Sequence, residues 1–153
     1  MTRPTHFPLC FSTSCLLLSL MSCSVAQADN DGWPCTSGTS TADMNECLTS
    51  VAKEVDEELH RYLKVAQASL DQGHEQFPDE VKKIDLSEES AAWKEYVSTY
   101  CRHVYDSYGT GSLRDSAARR CYVDLTKERT HRIWEDFIAT PDSSAPALPE
   151  PKI

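Results

Sequence analysis

Between Trp93 and Arg129 the chain carries one cysteine on each side of a four-residue break, Gly109-Thr110-Gly111-Ser112. Before the break, Trp93, Tyr96, Val97, Tyr100, Cys101, Val104 and Tyr108 recur at the steps that line one helix face. After it, Leu113, Ala117, Cys121, Leu125, Ile133 and Phe137 form a second apolar line. Its steps of four drift across the helix, which places Tyr122 and Trp134 at the edge. The glycines stop the first helix, and Ser112 is placed to cap the second. At about 1.5 Å of rise per residue, Cys101 and Cys121 stand level from the turn. A disulfide needs a short Cα separation, which level positions across an antiparallel hairpin meet.

Upstream, Ser40-Thr41-Ala42-Asp43 has the spacing of a capping box, with Asp in place of Glu. Met44, Cys47, Leu48, Val51, Val55, Leu59, Tyr62, Leu63, Ala66 and Leu70 then mark one face of a long helix over Thr41 to Leu70. Glu54, Glu57, Glu58, Arg61 and Lys64 fill its other side. Gly73 and Pro78 interrupt the pattern, and Asp85-Leu86-Ser87-Glu88 restarts it with a cap. No strand-like alternation occurs. The expected fold is all-α: a three-helix antiparallel bundle with one long N-terminal helix, stapled by two disulfides. Its expected core is Leu48, Val51, Val55, Leu59, Trp93, Tyr96, Val97, Leu125 and Ile133.

The N-terminus sets the compartment. Arg3, the run Leu16 to Met21 and Ala26-Gln27-Ala28 have the order of a signal peptide over residues 1–28. Leu20-Met21-Ser22-Cys23 competes as a lipobox, which would anchor the chain by lipid at Cys23. The first route gives a periplasmic or secreted protein, the second an outer-envelope lipoprotein. Either leaves Cys35, Cys47, Cys101 and Cys121. An even number in an exported chain reads as two disulfides; of three connectivities, Cys35–Cys47 with Cys101–Cys121 follows from the level hairpin. The domain spans 29–138. Residues 139–153 hold Pro141, Pro146, Pro149 and Pro151 and read as a disordered tail with little to bury. No segment reaches the roughly 20 apolar residues of a membrane span.

The formal net charge is −9, and loss of the leader removes one further cation, Arg3. This field opposes nucleic-acid binding and favours a basic partner. No nucleophile elbow, zinc-protease helix or phosphate loop occurs, so the chain reads as neither an enzyme nor a cofactor carrier. Cys101, His103 and His131 lack the close pairing of zinc ligands. Arg129 falls near the inward face of the third helix, expected to pair with a carboxylate of the first, Asp56. The turn residues Thr110, Ser112 and Arg114 present donors at an exposed apex, the candidate partner-binding site.

The motifs in order resemble the lysozyme inhibitor LprI family. Cys35 precedes a helix that holds Cys47. Asp56-Glu57-Glu58-Leu59-His60-Arg61-Tyr62 resembles an Asp-x-x-Leu-Asn-x-x-Tyr element, with His60 for asparagine and one residue fewer before Tyr62. Trp93 stands eight residues before Cys101, with Ser90 where glutamine is usual and Val97 where arginine is common. Gly109-Thr110-Gly111-Ser112 matches a Gly-Gly-Ser turn, and Cys121, Leu125, Thr126 and Arg129 match Cys-x-x-x-Leu-Thr-x-x-Arg. Leu59, Tyr62, Trp93, Leu125, Thr126 and Arg129 are read as structural. The resemblance implies an exported helical protein that binds and inhibits lysozyme or a similar wall hydrolase. A non-enzymatic envelope adaptor and an immunity protein against a secreted toxin are the alternatives.

Overall fold

The computed structural model describes Cys35, residues 40–139 and residues 145–152. The leader, both processing sites and Cys23 lie outside the described residues. Three helices follow in order: α1, Thr41–Gln76; α2, Leu86–Ser107; and α3, Arg114–Phe137. There is no strand among the described residues. Ser40 caps α1 by accepting from the Asp43 amide at 3.2 Å, while its hydroxyl donates to the Asp43 carboxylate.

α1 continues past the expected end at Leu70. Nothing crowds Gly73, so it is tolerated at a modest propensity cost. The polar residues that blur the periodicity there hold the returning loop. Gln67 donates to the Ile84 carbonyl at 2.8 Å and accepts from the Leu86 amide at 3.0 Å. His74 Nδ1 lies 2.7 Å from the Val81 carbonyl. α2 therefore starts beside the middle of α1's C-terminal half and runs back along it. Asp85 caps α2 by accepting from the Ser87 amide.

α3 provides the larger interfaces with both other helices. Against α1 it is parallel: Asn45 meets Ser116, Asp56 meets Tyr122, and Ile133 joins Leu59, Tyr62 and Ala66. Against α2 it is antiparallel, with Cys101 bonded to Cys121 and Glu89 to Arg129. The second disulfide joins Cys35 to Cys47. The Cα separations are 5.8 Å for Cys35–Cys47 and 5.6 Å for Cys101–Cys121. The level-hairpin expectation is met.

The core differs from the expected one in phase. On α3 the buried line is Ser116, Val123, Thr126, Thr130 and Ile133, not the apolar line of Leu113, Ala117, Cys121, Leu125 and Phe137. Thr126 and Thr130 donate to the carbonyls of Tyr122 and Thr126, at 2.7 and 2.8 Å. Their hydroxyls are thereby satisfied inside the helix, and their methyl groups pack. On α2, Val97 and Cys101 are buried, whereas Tyr96 and Tyr100 are about half exposed and stack on each other outside. Tyr108 and Leu113 are also exposed. Among the expected core residues, Leu48, Val55, Leu59, Val97 and Ile133 are buried; Val51, Trp93 and Leu125 are half-buried.

The C-terminal segment is a second correction. Residues 148–151 lie against α1 and α3, while residues 145–147 are exposed. Tyr62 donates to the Pro149 carbonyl at 2.8 Å and Trp134 Nε1 donates to the Leu148 carbonyl at 3.0 Å. Pro151 is buried, and Leu148 packs on the cluster of Leu59, Tyr62, Ala66, Leu86, Ile133 and Ile138. A proline segment has a restricted φ, so ordering it costs little entropy, and the interior of α1 at Tyr62 with the C-terminal turn of α3 at Trp134 offers it donors and apolar surface.

Candidate functional site

The α2–α3 apex is built by backbone geometry. Gly109 adopts φ +56°, a left-handed conformation that favours glycine. A Cβ at Gly111 would meet the Tyr108 carbonyl at 3.0 Å, and the Gly111 amide donates to that same oxygen. The rung Cys101–Cys121 ties the two helices behind the turn. Thr110 and Ser112 are exposed. Arg114 is half-buried; its guanidinium lies 4.8 Å from the centre of the Tyr105 ring, with one Nη 3.5 Å from the Gly109 carbonyl. It braces the turn and adds charge beside the two hydroxyls.

Ser112 does not cap α3. Leu113 occupies the N-cap position with αR backbone and makes no side-chain cap bond. The i→i+3 turns through Gly111 and Arg114 satisfy the backbone instead. Ser112 is therefore free of a structural duty that the sequence assigns to it. Beside the turn, Tyr108, Leu113, Met44 and Leu48 line a cleft of about 200 Å³ against Cys35. The apex thus combines exposed hydroxyls, an apolar flank and a cation on a covalently braced support.

The second polar feature lies mid-bundle. Arg129 is nearly buried and pairs through both Nη atoms with the carboxylate of Glu89, on α2 and not on α1 as expected. One Nη also lies 3.2 Å from Ser90 Oγ, and the guanidinium stands 4.9 Å from the centre of the Trp93 ring. Asp56 instead accepts from the Tyr122 hydroxyl. The guanidinium beside Glu89 holds its carboxyl below the ordinary range, chiefly through the hydrogen bonds. Burial, with the hydrogen bond to Asp56, pushes the Tyr122 phenol up to about 12.

The inward position of Arg129 agrees with its spacing, but its partner is Glu89 on α2, not Asp56 on α1. Glu89 lies forty residues away, and only the level pairing of α2 with α3, set by the Cys101–Cys121 rung, identifies it. Tyr122 is half-buried at the edge of the α3 line, as its spacing predicts, and its phenol closes α3 onto α1. Leu59, Tyr62 and Thr126 are buried, while Trp93 and Leu125 are half-buried. These residues sit in the bundle, away from Thr110, Ser112 and Arg114. Among the described residues no group of three or more His, Cys, Asp or Glu side chains converges to hold a metal. Both Cys101 and Cys121 are committed to their disulfide, and His131 faces Glu135 and Glu150.

These features define a small helical domain, stapled twice near one end and presenting a braced hairpin turn. The sequence profile of the family described as lysozyme inhibitor LprI matches residues 35–133, and the chain belongs to that family. No curated protein and no solved structure matches it. No helix among the described residues is long and apolar enough to cross a membrane.

Proposed function

We infer that this chain is an exported, non-enzymatic binding protein that inhibits lysozyme or a similar peptidoglycan hydrolase, docking through the α2–α3 apex. Membership of the family over residues 35–133 carries the reading. Two disulfides suit an oxidising compartment outside the cytosol, reached by removal of residues 1–28 or by lipid attachment at Cys23. Muramidases of the lysozyme type cleave with two carboxylates flanking the scissile bond. A blocking surface needs a rigid projection that carries hydrogen-bond donors and positive charge. Thr110 and Ser112 supply hydroxyls, Arg114 supplies the cation, and Leu113 with Tyr108 supplies apolar contact. The net charge of −9 steers the whole molecule toward a basic enzyme.

The test is a cell-wall lysis assay with purified mature protein titrated against lysozyme. Inhibition should weaken at least tenfold in Thr110→Ala with Ser112→Ala, with the melting temperature unchanged. Arg114→Ala is measured separately, because loss of its packing on Tyr105 bears on folding. Full lysozyme activity beside saturating, folded wild-type protein would overturn the inhibitor reading in favour of an envelope adaptor. Unchanged inhibition by the double variant would move the site off the apex.

A further inference from the structure

We propose that the surface formed by Tyr62, His131 and Trp134 is a docking site for short proline-containing peptides, occupied in cis by the chain's own segment from Leu148 to Pro151, which follows a bend at Ala147 and Leu148. Two donors aim at backbone rather than at side chains. The Tyr62 hydroxyl binds the Pro149 carbonyl at 2.8 Å, and the Trp134 indole binds the Leu148 carbonyl at 3.0 Å. His131 Nε2 lies 3.0 Å from the Glu150 carboxylate, which adds preference for an acidic residue at that place. Leu148 packs on the hydrophobic cluster and Pro151 is buried. Aromatic side chains that donate to consecutive backbone carbonyls, beside apolar contacts for a proline and an aliphatic residue, are chemistry that suits proline-containing peptides. Such ligands lose little entropy on docking, because each ring already fixes φ.

This site is independent of the apex, at the other end of the bundle. The family match ends at residue 133, before the segment begins. The segment acts as a tethered competitor. A short tether gives an effective concentration in the millimolar range, so an outside ligand of equal intrinsic affinity meets a largely occupied surface. The partner that fits is a protein presenting an accessible Leu-Pro-acidic-Pro segment like the chain's own Leu148 to Pro151.

The probe is a fluorescently labelled peptide of residues 145–152, titrated by anisotropy into full-length protein. The wild-type chain should bind it at least tenfold more weakly than Leu148→Ser with Pro151→Ser, in which the tethered copy is impaired. Glu150→Gln, a milder change that preserves packing, should bind it a few-fold more tightly than wild type. Adding Trp134→Phe to the impaired chain removes the donor and should reverse the gain. A control peptide with alanine at all three prolines should bind at least tenfold more weakly. Equal binding of the alanine peptide, or no binding by impaired chains that remain helical and melt cooperatively, would overturn the proposal.

Discussion

Arg129 shows how one side chain links two helices and a ring. Its guanidinium is nearly buried, yet its partner Glu89 is more than half exposed. Solvent screening therefore limits the pair, and Glu89→Gln should destabilise by about 1 kcal/mol at neutral pH. The sign of the pH dependence is fixed by the depressed carboxyl of Glu89. The ionised form is favoured in the folded state, so the contribution is full above the unfolded carboxyl range. It is lost as pH falls through the folded value. Urea titrations of wild type and Glu89→Gln should thus differ at pH 7 and converge in acid. Tyr122 works at the opposite limit. Its phenol is raised to about 12 from an ordinary 10.0, so the stability it provides is complete below pH 10 and lost as pH rises toward 12. In an alkaline absorbance titration two of the 6 tyrosines, Tyr62 and Tyr122, should ionise after the exposed ones, because burial raises both, and Asp56→Asn should lower the value of Tyr122 alone.

At the scale of the helix, the starts of α1 and α2 and the disulfide rungs are legible in sequence, whereas the end of α1, the start of α3 and the buried faces are legible only in part. Ser40 and Asp85 cap where their spacing places them. The buried face of α3 departs from the apolar line because hydrophobicity is an incomplete proxy for burial. Thr126 and Thr130 are among the most buried residues, since each hydroxyl is consumed by its own helix. Tyr96 and Tyr100 look like core residues by type but stack outside. No periodicity distinguishes the two cases. The candidate apex was legible because its glycines and flanking cysteines are local in sequence, whereas the Arg129–Glu89 pair depends on helix register. Two measurements follow. Trp93→Ala should cost about 2–3 kcal/mol, below the range for a fully buried tryptophan, because its ring is half-buried and backed by Arg129. Replacing Cys101 and Cys121 with serine should cost about 2–4 kcal/mol. Equilibrium denaturation checks both.

Across the whole molecule, the two ends are held by different forces. Near the apex, the Cys35–Cys47 and Cys101–Cys121 bonds and the Asn45–Ser116 contact join the helices. At the far end, a hydrophobic cluster and the docked proline segment do so. Charge acts on encounter over all of it: if a basic enzyme is the partner, its association rate should fall as salt rises from low to physiological strength, which stopped-flow binding measures. Reduction should act on one end only. Hydrogen exchange in reduced protein should accelerate first around residues 101–121, while the amides near Tyr62 and Ile133 keep their protection. Uniform acceleration would show instead that the bundle opens as one unit.

That division makes the apex conditional on its surroundings. The hairpin turn is a rigid object only once the rung behind it has closed, and a thiol-reducing cytosol keeps such rungs open. A newly made chain would then carry a loose, ill-defined turn, and acquire its finished contour on reaching an oxidising space. If the apex is the contact surface, the same two sulfur atoms that stabilise the fold would also time its completion, which waits on oxidising conditions.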